Sequence, residues 1–278
     1  MRSPSLTALY ILLPILMVDA VIEVGLIGTM VGFLHRRAGK WFDVSYPAGS
    51  TFRLHGKPLY PLVNQGHTSN GAAGTALILV GFGGLLALWL QQRRVAKVSP
   101  RANITYDRVA ADISTTSYQQ NGYDSSQQRQ QQQQPPLAPG PSAIFSSWVV
   151  MTILSNLLTL AALIYTFIVT HQTNNQTIDL AVAAKNPDPL MYPLHKWTPE
   201  NWFIAILHQV PLIHHSDRVK ITQELRVMRG WRWNLIPLFI LGLLTAAAAV
   251  AEWLALRRRR RQQTPSLDHV RAKEGSAY

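Results

Sequence analysis

Four long apolar stretches separated by polar loops constrain this chain more than any other feature: Leu6 to Leu34, Ala72 to Leu90, Ala143 to Thr170 and Trp233 to Leu256. At 1.5 Å of rise per residue, each is long enough as a helix to cross a hydrocarbon layer of roughly 30 Å. Only helices and closed barrels satisfy their backbone polar groups inside lipid. The expected fold is therefore an all-α membrane protein with four transmembrane helices. The pattern places helix 1 over 6–34, an outer loop over 35–71, helix 2 over 72–92 and a Gln/Pro-rich cytosolic loop over 93–142. Helix 3 follows over 143–170, a second outer loop over 171–232, helix 4 over 233–256 and a basic cytosolic tail over 257–278. The first stretch is too long for the apolar region of a cleaved signal and carries two acids, so it reads as a retained helix.

The net charge of +12 comes from 26 Lys and Arg against 14 Asp and Glu. Basic residues sit beside span ends, as in Arg93, Arg94 and Lys97, which makes them a topology signal before they are a nucleic-acid footprint. With both termini cytosolic, 14 basic residues lie inside and 12 outside, although Arg36, Arg37 and Lys40 just after the first span oppose that orientation. The run Arg257, Arg258, Arg259, Arg260 and Arg261 follows the fourth span directly and suits a stop-transfer anchor in contact with anionic lipid headgroups. The expected partner is the bilayer, with protein partners through the cytosolic linker or outer loops, and no nucleic acid. The termini are expected in the cytosol, in a plasma membrane or endomembrane. Zero Cys excludes disulfides, thiolate metal sites and Cys nucleophiles.

The loops differ in how much structure they encode. The first outer loop carries Trp41, Phe42, Tyr46, Phe52 and Tyr60 with Pro and Gly, which suits a compact cap with short extended pieces such as 50–54. Residues 119–134 are dominated by Gln and 135–141 by Pro, so this cytosolic segment reads as disordered, with Pro136-Leu137-Ala138-Pro139 a bare PxxP pattern. The second outer loop has helical grammar. Thr198 suits an N-cap, Pro199 the first helical position and Glu200 the first turn, predicting a helix over 199–209 that ends before Pro211. Ser216 and Asp217 open a second amphipathic helix over 216–229, broken by Gly230 before Trp231 and Trp233 enter the fourth span as an interfacial belt.

Inside the spans, Asp19 and Glu23 share one face of helix 1, one turn apart. A carboxylate at mid-bilayer costs at least roughly 2.5–3.5 kcal/mol, and no Lys or Arg occurs within the apolar stretches. Thr152, Ser155, Asn156 and Thr159 on helix 3 form one polar face at matching depth, so Asp19 or Glu23 is expected to meet Asn156. Three uses fit such a site: hydrogen-bonded packing of the helices, a proton or cation site, or a partner subunit supplying the missing base. On the opposite face of helix 1, Gly25, Gly28 and Gly32 suit close helix packing, with Gly74, Gly81, Gly83 and Gly84 of helix 2 as mates. His195, His208, His214 and His215 with Asp217 do not match a metal-binding spacing, and no nucleophile elbow or phosphate loop occurs. No cofactor, metal or catalytic residue is expected.

Two segments, Lys196-Trp197-Thr198-Pro199-Glu200-Asn201-Trp202 and Met228-Arg229-Gly230-Trp231-Arg232-Trp233-Asn234-Leu235-Ile236-Pro237, resemble pieces of uncharacterised four-span integral membrane proteins of filamentous fungi. The resemblance covers the second outer loop and the start of helix 4, and it implies no known activity. Claudin-type four-span families differ, since their outer-loop Cys pair is missing here. The functional expectation is a non-enzymatic membrane scaffold or interaction protein. The rival is a small transporter or channel component coupled through Asp19 and Glu23.

Overall fold

The computed structural model describes residues 3–37, 40–46, 49–57, 61–96, 140–185 and 196–263. Four helices in it are long and apolar enough to cross a membrane: α1 (Pro4–Arg37), α2 (Asn64–Ala96), α3 (Ala143–Gln172) and α6 (His215–Gln263). The chain is mostly helical and fits an all-α, multi-pass membrane protein. Between them lie an antiparallel hairpin of β1 (Trp41–Ser45) and β2 (Thr51–His55), a short α4 (Leu180–Lys185) and α5 (Pro199–Gln209). The disordered-linker reading falls largely on residues 97–139, and most of the basic tail on 264–278. Both stretches lie outside the described residues, as do His195, the sequon Asn103-Ile104-Thr105 and the PxxP pattern.

Contacts divide the chain into two compact units, one of residues 1–9, 83–150 and 247–278, the other of residues 10–82 and 151–246. In the second unit, the C-terminal part of α1, the hairpin, α4, α5 and the first turns of α6 enclose a single core. Phe42, Trp202, Phe203, Ile206, Ile221 and Trp231 are among its largest fully buried side chains. The hairpin pairs Trp41 with His55 and Ser45 with Thr51. The segment after α5 extends that sheet by a strand-like contact, since Ile213 N donates to Asp43 O at 3.0 Å and Ser45 N to Pro211 O at 2.9 Å. Gly49 turns the hairpin with φ of 79°, a conformation open to glycine.

α5 forms where its local signals place it. Thr198 is the N-cap, its side chain accepting from Asn201 N at 3.2 Å, and Pro199 occupies the first turn. Two boundaries depart from expectation. α2 begins at Asn64, well before position 72, and contains a π-helical segment, Ala76–Phe82, before helix resumes over 83–96. The helix expected over 216–229 does not stop at Gly230: α6 runs unbroken into the fourth span. A glycine costs a helix only about 1 kcal/mol, and here its neighbours Met228 and Trp231 are buried in the core, which offsets that cost.

Outward faces of the long helices carry exposed apolar side chains, among them Ile11, Val18 and Ile22 on α1, Ile78 and Phe82 on α2, Leu154 and Leu157 on α3, and Ile240 and Leu243 on α6. A bilayer removes the cost of such exposure.

Candidate functional site

Glu23 is fully buried, and its Oε2 accepts a hydrogen bond from Asn234 Nδ2 at 3.1 Å. The same amide lies 3.5 Å from the Asp19 carbonyl oxygen, so Asn234 bridges the turn that carries both acids. Asp19 itself is half-buried. Among the described residues, Asp19 Oδ2 and Glu23 Oε1 have no hydrogen-bond partner, and neither carboxylate pairs with a Lys or Arg. The amide partner foreseen on helix 3 is thus supplied by the fourth span instead.

The helix 3 stripe is used elsewhere. Ser155 Oγ hydrogen-bonds Thr75 of α2 at 3.1 Å, Thr159 Oγ1 donates back to the Ser155 carbonyl at 3.0 Å, and Thr166 Oγ1 lies 3.4 Å from Ser69 Oγ. Thr152 is also buried. The physical reason is that α2 lies along α3: Thr75, inside the expected span, meets Ser155, and the early start at Asn64 adds Ser69 opposite Thr166. Asn156 packs over Gly242 of α6, where a Cβ would come within 2.5 Å of Asn156 Oδ1. That oxygen has no hydrogen-bond partner among the described residues.

The glycine face of the first span does not pack as expected. A Cβ on Gly25 or Gly28 would meet nothing within 4 Å, and one on Gly32 would meet only the Arg36 side chain. The glycines that admit close neighbours are others. Gly81, in the π segment, faces Met17, and Gly84 lies under the Trp148 ring, whose atoms a Cβ would approach to 2.7 Å. Both neighbours are bulky side chains that fill the space a glycine leaves, so small-on-small spacing gave the wrong face.

Two ionic contacts organise the second unit beyond the apolar stretches. Arg37, at the end of α1, is buried, donates to Asp217 Oδ1 at 3.3 Å, and lies over the Phe42 ring at 4.9 Å. One guanidinium thereby joins α1, β1 and the first turn of α6. Glu200, read from sequence as a helix-start charge, is instead buried and receives Arg232 Nη1 at 3.0 Å with Arg229 at 3.7 Å. Burial pushes its carboxyl above the ordinary range, and the two arginines oppose that rise. A cleft of about 330 Å³ lies beside this trio, lined also by Phe167, His171 and Asn201. His214 contacts Asp43 at 3.2 Å on the exposed surface. Among the described residues, no group of three or more His, Asp or Glu side chains is placed to hold a metal.

In the first unit Glu252 accepts from Ser5 Oγ at 2.6 Å and from Ser3 Oγ, while Trp253 Nε1 donates to Ser146 Oγ at 3.0 Å. Gln91 donates to the Gly140 carbonyl and accepts from Ser142 N. The described arginines of the basic run, Arg257 to Arg261, are all exposed, with Arg257 over the Trp253 ring at 5.1 Å.

No protein-family model matches this chain, and comparisons with curated proteins and with solved structures return no match.

Proposed function

We propose that this chain is a non-enzymatic, four-span membrane scaffold whose folded cap, built on the second unit, presents a surface to partners. The observation that carries the reading is how the intramembrane polar groups are used: Glu23 with Asn234, Ser155 with Thr75 and Thr166 with Ser69 all join one long helix to another. Interhelical hydrogen bonds of this kind contribute about 0.6–2 kcal/mol each in membranes and fix helix register. The proposed orientation has both termini in the cytosol, in a plasma membrane or endomembrane. Arg37, which weighed against that orientation in the charge balance, is engaged in a buried ion pair, so it counts less as a free topology charge.

A second reading keeps one specific observation: Glu23 Oε1 is buried without a partner among the described residues, and Asp19 stands one turn away. This is the arrangement a small proton- or cation-coupled transporter would use. Asp19→Asn combined with Glu23→Gln separates the two readings, because amides keep shape and remove the ionisable groups. Under the scaffold reading the double variant accumulates normally in the membrane and proteoliposomes show no flux to lose. A cation or proton flux present in the wild type and abolished in a normally accumulating variant would replace scaffold with transporter. For orientation, Asn175 lies exposed in the turn after α3 within Asn175-Gln176-Thr177 and is the expected glycan acceptor. A glycan lost on Asn103→Gln would instead put both termini outside.

A further inference from the structure

A cleft of about 780 Å³ runs alongside the end of α1's apolar stretch in the second unit. Its walls are graded in polarity. Ile27, Met30, Val31 and Leu34, on successive turns of α1, make an apolar wall, with Leu62 and Val63 adding apolar surface at the start of α2. Where that stretch ends, His35, His55, Lys57 and His67 line the cleft, and no acidic residue does among the described lining. A wall that changes from aliphatic to basic where the membrane-spanning sequence gives way to polar sequence matches the profile of one phospholipid molecule.

Two further features lie at the polar end. The N-cap of α2 is Val63, which offers no side-chain acceptor to the first-turn amides, so the positive end of a long helix opens here. Gln65, in that first turn, is only 4% exposed and lines the cleft, and its Oε1 has no hydrogen-bond partner among the described residues. Leaving a buried amide unsatisfied costs free energy. A ligand that brings both an anionic group and a hydrogen-bonding partner removes that cost.

We propose that this cleft binds the headgroup of an anionic bilayer phospholipid, with acyl chains along Ile27, Met30, Val31 and Leu34, the phosphate against Lys57 and the α2 N-terminus, and a headgroup donor on Gln65. This site is separate from the arginine run after the fourth span, whose side chains are exposed. It requires only that the chain spans a membrane, and it stands or falls independently of the scaffold reading.

The test uses the full chain in nanodiscs of phosphatidylcholine mixed equally with phosphatidylserine, with lipids retained after detergent washing quantified by mass spectrometry. Phosphatidylserine is expected to be enriched over phosphatidylcholine by roughly tenfold, at about one molecule per chain, corresponding to a modest affinity difference. Lys57→Glu and Gln65→Leu should each abolish the enrichment. Val31→Trp, a change at a position 41% exposed, should abolish it by filling the apolar wall. Thermal unfolding in phosphatidylcholine alone confirms that the variants are folded, and Gln65→Leu is expected to unfold no earlier than wild type because it removes a buried unpaired oxygen. Enrichment that survives all three substitutions would assign the retained lipid to the arginine run and overturn the proposal. Equal stabilisation of the protein by inorganic phosphate in phosphatidylcholine discs would reduce the site to a phosphate site and overturn it as well.

Discussion

Glu23 and Asn234 meet across α1 and α6 at 3.1 Å, and the same two helices are joined again by Arg37 and Asp217. The residue number rises along one helix as it falls along the other, so the contacts fix an antiparallel register for the first and fourth long helices. Asn234→Leu leaves the buried Glu23 without its donor and is expected to lower stability by about 1–3 kcal/mol. The measurement is the unfolding temperature of the purified chain in a mild detergent. A change no larger than that of an exposed control such as Leu243→Ala would mean that the hydrogen bond is not made.

Arg37→Gln removes the charge that joins α1 to β1 and α6 and strands Asp217. Losing one member of a fully buried pair costs roughly 3–5 kcal/mol. The cost here is expected at or below the lower end of that range, since Asp217 keeps partial access to solvent. Limited proteolysis should then cut the hairpin and the segment after α5 before it cuts the long helices. Exchanging the charges, Arg37→Asp with Asp217→Arg, is expected to restore part of the resistance and to lose the contact with Phe42.

Gly56 is required by close backbone approach. A Cβ there would lie 2.6 Å from the Arg37 carbonyl oxygen and 2.7 Å from that of Lys40. Backbone cannot yield as a side-chain tip can, so Gly56→Ala is expected to destabilise the cap by about 1–3 kcal/mol. Gly28→Ala, which meets open space, is expected to be neutral or slightly stabilising. Equal effects of the two substitutions on unfolding temperature would contradict this packing.

Glu200 gives the cap a pH dependence. Its folded carboxyl titrates above the ordinary value of 4.5 because burial disfavours the charged form. The folded state therefore holds a proton that the unfolded chain has already lost, and this site's contribution to stability falls as pH rises from about 4.5 through the folded value. It is level above that window. In Glu200→Gln the decline from this site disappears, so the ratio of variant to wild-type stability should rise across the window. Parallel pH profiles for the two proteins would show that Glu200 titrates as an exposed carboxyl.

Features written locally were legible in the sequence. Apolar length gave the four long helices, and Thr198-Pro199-Glu200 gave the start of α5, because capping depends on neighbours within one turn. The start of α2 was not legible. Asn64 to Thr75 is rich in Gly, Ser and Asn, all weak helix formers, and its hydroxyl contacts to α3 come from residues far along the chain. Missing that start hid Ser69, counted as loop, as the partner of Thr166, and although Thr75 lay inside the expected span, nothing local pairs it with Ser155, so the α3 stripe was assigned to Asp19. Asn234 was overlooked because it is the second residue of its apolar stretch and so was placed at the membrane rim. Once α6 runs from His215, Asn234 lies well inside a continuous helix, opposite Glu23. Glu200 looked like a surface charge because nothing local shows that Arg229 and Arg232, a full loop away, will cover it.

The pairing of the first and fourth spans through Glu23 is the centre of this account, and a chain without native Cys allows it to be tested directly in membranes. Glu23→Cys with Asn234→Cys, and separately Asp19→Cys with Asn156→Cys, would be treated with a short bifunctional thiol reagent and read as a shift in electrophoretic mobility after proteolysis between the spans. The first pair is expected to link efficiently and the second to remain unlinked. Efficient linkage of the second pair with none of the first would place the acids of α1 against α3 and contradict the account.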